Sequence, residues 1–248
     1  SETKAKSCCA PELAEPSPCC CGNAPVPDGC SPRWQQDEVE TAVGPVPRVD
    51  TKLGWRDVLG GWKARWGVGR MKYRVNPGLY AIGSPTADSQ VFVSASYKMS
   101  FDCLRSSLVG RDGWILVLDT NSINVWCAAG KGTFGTDELC RRIELTGLSE
   151  IVSHRSLVVP QLGAPGICAH EITKRTHFKV VYGPIRAEDL PVFLDRGSVA
   201  TDEMRQVRFG LFDRLVLVPM EVVPAVRRLV WVVLAMFVLA GLTRGAYD

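Results

Sequence analysis

An open α/β sheet with flanking helices, of the Rossmann-like kind, is the fold class the sequence predicts, and three observations predict it. The 248 residues are 46% hydrophobic and 22% charged, enough to bury one sizeable core with chain to spare. From Val91 onward, short apolar runs alternate with amphipathic stretches, as in parallel-sheet proteins. Between two of those runs, Thr136 reads as a helix N-cap, with Asp137 and Glu138 at the positive end of a helix that stops near Gly147.

Taken in order, residues 1–50 read as a disordered Cys- and Pro-rich tail. Eight of the sixteen prolines precede Asp50, and large aliphatic residues are scarce there. Cys8, Cys9, Cys19, Cys20, Cys21 and Cys30 crowd this tail without a C-x-x-C spacing, so a structural zinc site is not signalled. Soft thiolates could still capture a soft metal ion. No apolar segment of signal type opens the sequence, so the thiols are expected to stay reduced in a cytoplasmic setting. Residues 51–71, a mixture of Gly and Arg with Trp55, Trp62 and Trp66, read as a connecting segment without regular structure.

Residues 72–221 carry the α/β pattern. Strands are expected at Gln90–Ser96, Trp114–Thr120, Ser156–Val159, Phe178–Tyr182 and Arg214–Val218, with further helices at Ile167–Arg175 and Ala187–Arg196. Cys103, Cys140 and Cys168 read as core residues. Residues 222–248 read as the start of a transmembrane domain. The uncharged run Leu229–Leu242 is shorter than the ~20 residues a spanning helix needs, but approaches that length when extended back through Val222–Val226. Arg227 and Arg228 would keep the preceding domain on the cytoplasmic side of the membrane. The net charge of +3, with no dense Lys/Arg run among aromatics, argues against nucleic acid as a partner.

The chemistry concentrates in Trp114–Thr136, where a buried strand opens into a Gly-rich loop. A phosphate-binding loop fails twice: Val125 stands where a Gly is needed five residues before Gly130, and Gly132 replaces the Ser/Thr after Lys131. Cys127 as an ordinary buried thiol is the plain alternative. Its position beyond a strand's carboxyl end, where open α/β sheets hold ligands, favours a functional thiol. A helix start and Lys131 one turn on would favour the thiolate that binds metals.

The segment Asn124-Val125-Trp126-Cys127-Ala128-Ala129-Gly130-Lys131 resembles the cap-helix signature of the mercury-methylating corrinoid proteins, relatives of the large subunit of the corrinoid iron–sulfur proteins. The likeness extends through Val75–Gly83, Ser94–Asp102, His154–Ala164 and Phe178–Ala187. It implies a corrinoid-dependent methyltransferase that moves a methyl group from methyl-Co(III) to Hg(II). The cofactor would be cobalamin or a related corrinoid, bound base-off, with the Cys127 thiolate as lower axial cobalt ligand. In the corrinoid iron–sulfur proteins the matching position is not a thiol. The resemblance further implies a small ferredoxin with two 4Fe–4S clusters as electron donor, a methyl-tetrahydrofolate-linked methyl source and a place in the cytoplasmic membrane.

Against such a cofactor, small Ala128, Ala129 and Gly130 would let the helix backbone approach the macrocycle, beside Val125 and Trp126. Asn124, Lys131, Thr133 and Thr136 would meet corrin amides, and Gln161, Gly163, Tyr182 and Gly183 the nucleotide tail. His154, His170 and His177 lack the Asp-x-His-x-x-Gly setting of another cobalamin class and read as structural or as outer neighbours of a site rather than ligands. Two other readings stay open: a membrane-tethered protein that binds or traffics soft metals, and a methyl carrier of acetyl-CoA-pathway type.

Overall fold

In the computed structural model, which describes residues 32–208 and 210–244, seven strands form one mixed sheet in the order β1-β2-β3-β5-β4-β6-β7. One side of it, from the middle to an edge, is made of β5 (Gly113–Leu118), β4 (Val91–Ala95), β6 (Ser156–Val159) and β7 (Lys179–Tyr182), all parallel. Every residue of β4 and β5 is buried, because helices cover both faces and a strand so placed must be apolar throughout. The four runs foreseen there are strands within a residue or two of the expected ends.

One layer holds α3 (Val125–Lys131), α4 (Thr136–Leu145), α5 (Leu148–Ile151) and α6 (Ala169–Thr176), packed through Ala128, Leu139, Leu148 and Ile172. The opposite layer holds α2 (Lys98–Ser107) and α7 (Leu190–Asp195), packed through Phe101, Leu190 and Phe193. The chain leaves β4 into the second layer and leaves β6 toward the first. The carboxyl ends of these neighbouring strands therefore diverge, and a crevice opens between them.

Five expectations need correction. First, residues 35–49 are not tail: β1 (Gln35–Thr41) and β2 (Gly44–Val49) form a hairpin on the sheet edge. Pro45 and Pro47 are tolerated because both fall on the same side of the strand's alternation and pairing of β2 with β3 begins only at Arg48. Residues 1–31, with the six-cysteine cluster, lie outside the described residues. Second, the connecting segment contains a helix, α1 (Trp55–Arg65). Third, β3 (Gly78–Ile82) was not foreseen; it runs antiparallel to β5 and makes the sheet mixed. Fourth, Arg214–Val218 is not a strand but the opening of α8 (Leu211–Arg244), a 34-residue helix. A short apolar run has no periodicity to separate the two. Fifth, Gly135 rather than Thr136 caps α4, and the Thr136 hydroxyl accepts a hydrogen bond from the Cys168 amide (2.9 Å).

Two of the three cysteines expected in the core are exposed, Cys103 on α2 and Cys168 before α6; Cys140 is fully buried. His154 is structural as foreseen. Its Nδ1 accepts from the Ser156 amide (3.2 Å), which leaves Nε2 to donate to the Ser89 carbonyl (2.9 Å).

A buried ionic cluster fastens α1 to the body. Arg105, fully buried, donates to Asp102 (2.7 Å) and Asp57 (2.8 Å), and also to the Asp50 and Lys52 carbonyls. Lys98 Nζ reaches Asp57 (2.9 Å) and both oxygens of Asp102 (2.6 and 2.7 Å). Buried cations are tolerated only when paired and hydrogen-bonded in this way.

Candidate functional site

The turn from β5 into α3 is built by side chains that hold its backbone. Asn121 and Ser122 both adopt left-handed conformations (φ 54° and 62°). For non-glycine residues this costs on the order of 1 kcal/mol each and persists only where the surroundings enforce it. Buried Ser96 does so: its hydroxyl accepts from the Thr120 amide (3.1 Å) and the Ser122 amide (3.4 Å) and pairs with the Thr120 hydroxyl (3.2 Å). Asn124 then caps α3, its Oδ1 accepting from the Cys127 amide (3.1 Å), and Gly132 ends the helix in the left-handed region (φ 79°).

The helix has two faces. Val125, Ala128 and Ala129 are buried against the core, while Trp126 (65% exposed), Cys127, Gly130 and Lys131 face outward. Ala128 and Ala129 are thus small for a different reason than expected. They let α3 settle on the 3-10 segment Gln161–Gly166, where Gly166 lies against the Ala129 backbone with no room for a Cβ. Above Gly130 the opposite holds: a Cβ would meet nothing within 4 Å. The outward face is open.

Beside this helix, at the diverging carboxyl ends of β4 and β6, lies a cleft of about 700 Å³. Asn124, Val125 and Trp126 form one wall, and Ser94 and Tyr97 continue from β4. Pro160 and Leu162 follow β6, and Gly183 and Pro184 follow β7. The far wall is α2, through Met99 and Cys103, with the first turns of α8, through Val216 and Leu217. Asp213 anchors that wall by accepting from Arg186 (3.0 Å).

Of the residues named from sequence, Asn124, Val125, Trp126 and Gly183 line the cleft; Cys127, Gly130 and Lys131 are exposed on the same helix but are not part of the lining. The others are engaged structurally. Thr133 donates to the Ala128 carbonyl (3.4 Å), Gln161 accepts from Arg205 (3.1 Å), and the Tyr182 hydroxyl donates to the Ile167 carbonyl (2.9 Å). Gly163 is closed over by the Phe134 ring. Burial raises the Tyr182 phenol above its ordinary value, in keeping with a proton kept for that bond. The Thr136 hydroxyl is taken by Cys168, as above. Sequence reasoning missed Ser94, Tyr97 and the α8 wall; the position of Ser94 near the end of β4 was a signal available for the first two.

Among the described residues, no three His, Cys, Asp or Glu side chains converge to hold a metal ion by themselves. A metal carried in a macrocycle needs only an axial donor from the protein, and Cys127 is an exposed thiol in open surroundings beside a cleft. The residues present fit such a group.

Removing the cap tests how α3 is held. Asn124→Ala is expected to cost about 1 kcal/mol, read from the urea midpoint, with faster amide exchange confined to residues 125–131.

Fold and cleft together define an α/β domain with a cleft at the carboxyl edge of a Rossmann-like sheet, where open sheets of this kind bind ligands. Residues 68–194, half of the chain, match the family described as CO dehydrogenase/acetyl-CoA synthase delta subunit, and the chain belongs to that family. It is 31% identical over 129 residues to the acetyl-CoA decarbonylase/synthase complex subunit gamma of Methanopyrus kandleri, covering 51% of this chain and 28% of the relative. To the subunit gamma of Archaeoglobus fulgidus it is 33% identical over 129 residues, covering 51% and 27%. To that of Methanocaldococcus jannaschii it is 32% identical over 98 residues, covering 38% and 20%. The match thus spans less than a third of these relatives' length. It supports the kinship with corrinoid iron–sulfur protein large subunits read from the Asn124–Lys131 segment, and that family implies a corrinoid cofactor.

Proposed function

We propose that this protein transfers a methyl group from a base-off corrinoid to Hg(II), forming methylmercury, with the Cys127 thiolate as lower axial cobalt ligand. The observation that carries the reading is the placement of Cys127: an exposed thiol on a capped helix whose preceding residues Asn124, Val125 and Trp126 line the cleft at the sheet's carboxyl edge. When bound, the corrinoid supplies a methyl group that can leave with its bonding pair for an electrophile, after which two electrons from an external donor restore the cobalt for the next methyl group. A small ferredoxin with two 4Fe–4S clusters suits that donor role, and a methyl-tetrahydrofolate-linked route suits the methyl source.

The chain's own residues supply binding and bias. The Cys127 thiolate would hold the cofactor's metal and, as a strong donor, would favour its oxidised state, as a Cys ligand pushes electron density through haem iron. Asn124 holds the Cys127 backbone in place through its amide, so the thiol is positioned before any cofactor arrives. Trp126 offers an apolar surface on the same face, and Gly130 leaves that face unobstructed. A place for the domain at the cytoplasmic face of the membrane belongs to the same reading; α8 supports it, since its Asp213–Gly241 stretch is long and apolar enough to span and is not buried by the rest of the protein.

The relatives' names favour one other reading, a methyl carrier serving acetyl-CoA synthesis. Full-length chain in lipid, loaded with a methylated corrinoid and given a Hg(II) salt, separates the two. Methylmercury as product, measured by mass spectrometry, is the expected result. A methyl group that stays on the cofactor with Hg(II), and leaves only for an acetyl-CoA-forming partner, overturns it.

A further inference from the structure

Helix α1 wears its amphipathicity inside out. Asp57, Gly60 and Ala64 turn inward, and Gly60 sits so close to the Tyr73 ring that a Cβ would lie 2.7 Å from it. The outward face carries Trp55 (70% exposed), Val58 (50%), Leu59 (44%), Trp62 (57%) and Trp66 (48%). These positions fall at i, i+3, i+4, i+7 and i+11, a single stripe along the helix. Exposed Val68 and Met71 prolong the apolar surface beyond its end. Rotation cannot bury the stripe, because Asp57 is clamped by Lys98 and Arg105 on the inward side.

Three features say what covers this face. Between Lys52 and Arg74 stand seven basic residues and one acid, Asp57, which is already neutralised from within. Tryptophan on one face with Lys and Arg around it is the composition of helices that lie in the headgroup layer. Finally, α1 packs beside α8, and the Arg70 guanidinium meets the Met220 sulfur at 3.6 Å. Counted from just past Met220, Val222–Leu242 supplies about 21 residues, or about 31 Å of helix at 1.5 Å each, which matches a hydrocarbon core of roughly 30 Å. Arg227 and Arg228, about a turn and a half inside, can reach back to the surface along their aliphatic stems. Met220, and α1 with it, then falls at the level of the lipid headgroups.

We infer that α1 is an interfacial anchor: its Trp stripe lies in the surface of an anionic bilayer and fixes the tilt of the α/β domain over the membrane that α8 enters. The inference rests on the spanning role of α8. With the domain held at two points, the cleft walled by Val216 and Leu217 opens at a fixed height above the lipid.

Brominated-lipid quenching of tryptophan emission tests both levels separately. One full-length variant, Trp126→Phe with Trp231→Phe, keeps the three α1 tryptophans; a second, with Trp55, Trp62, Trp66 and Trp126 all replaced by Phe, keeps Trp231. Trp34 and Trp114 remain in both as a common background. Each is reconstituted in phosphatidylcholine–phosphatidylglycerol vesicles brominated either near the headgroup or deep in the chains. The first variant is expected to lose emission chiefly to the shallow bromines, and the second to lose emission to bromines within the chains. Quenching of Trp231 without quenching of the α1 tryptophans overturns the anchor and leaves α8 spanning. Quenching in neither variant overturns the spanning helix and the anchor with it.

Discussion

If Cys127 is the cobalt ligand proposed above, Cys127→Ala is expected to reduce methylmercury formation by about a hundredfold or more, since loss of even an outer partner of a metal ligand typically costs ten- to a hundredfold and this substitution removes the proposed ligand itself. The fold should be untouched. The side chain is exposed, and the bond that fixes α3 runs from the Cys127 backbone amide to Asn124, which the substitution leaves in place. Stability is therefore expected to stay within about 0.5 kcal/mol of the parent, as for other surface changes away from structural features. That separation of activity from stability is the signature of a ligand. A variant with full activity contradicts the axial role, and one that is both inactive and unfolded contradicts the placement of Cys127 on an open face. Methylmercury yield and urea midpoint, measured on the same preparations, read both.

Asp102→Ala is expected to have the opposite profile, a loss of about 3–5 kcal/mol in stability, because removing one partner of a buried pair leaves uncompensated charge. Both Lys98 and Arg105 lean on Asp102, and only Asp57 would remain to neutralise them. The Tyr73 hydroxyl, whose single proton is shared between the Asp57 carbonyl (3.0 Å) and Asp102 (3.4 Å), would keep only the first of these acceptors. Burial and the two nearby carboxylates raise the Tyr73 phenol well above its usual range, so it stays a donor at any physiological pH. The same cluster gives an acid sensitivity. Burial works to raise the Asp57 carboxyl, but the Lys98 hydrogen bond, the charges of Lys98 and Arg105 and the Gly54 amide outweigh it and leave the group below its ordinary 3.8. A depressed carboxylate stabilises the fold above its unfolded value and loses that contribution as pH falls through the folded one. Stability should therefore hold down to about pH 4 and decline below it. An urea midpoint for Asp102→Ala equal to the parent's would mean that the cluster is not the clasp described.

How much of this could be read in advance differs from element to element. The runs Val91–Ala95 and Gly113–Leu118 are apolar because both faces of the sheet are covered, and such strands announce themselves. A helix start near Cys127 was legible too, with the thiol favoured outside the core, where it lies; that Asn124 caps the helix and Gly132 ends it was not read from the sequence. The edge hairpin was not: Gln35–Thr41 is mostly polar, and two prolines sit in β2 where no ladder bond is lost. Helix α1 escaped because its apolar stripe faces away from the core and its packed face is glycine and alanine. The clasp joins Lys98 to Asp57 across 41 residues, and no local pattern encodes such a distance. In the site, topology told which loops gather at the sheet edge but not which side chains are already spoken for. Gln161, Thr133, Thr136 and Tyr182 proved to be tied to other protein atoms, while Ser96, unnoticed, holds the turn from which the thiol is presented.

The proposed bond between the Cys127 sulfur and cobalt is what separates a mercury-methylating protein from a methyl carrier without a thiol ligand. X-ray absorption at the cobalt edge, on full-length protein loaded with a corrinoid, reads that bond directly. A sulfur neighbour of cobalt in the parent that disappears in Cys127→Ala is the result the account predicts. Cobalt surrounded only by nitrogen and oxygen in the parent, or the same spectrum from both proteins, would contradict it.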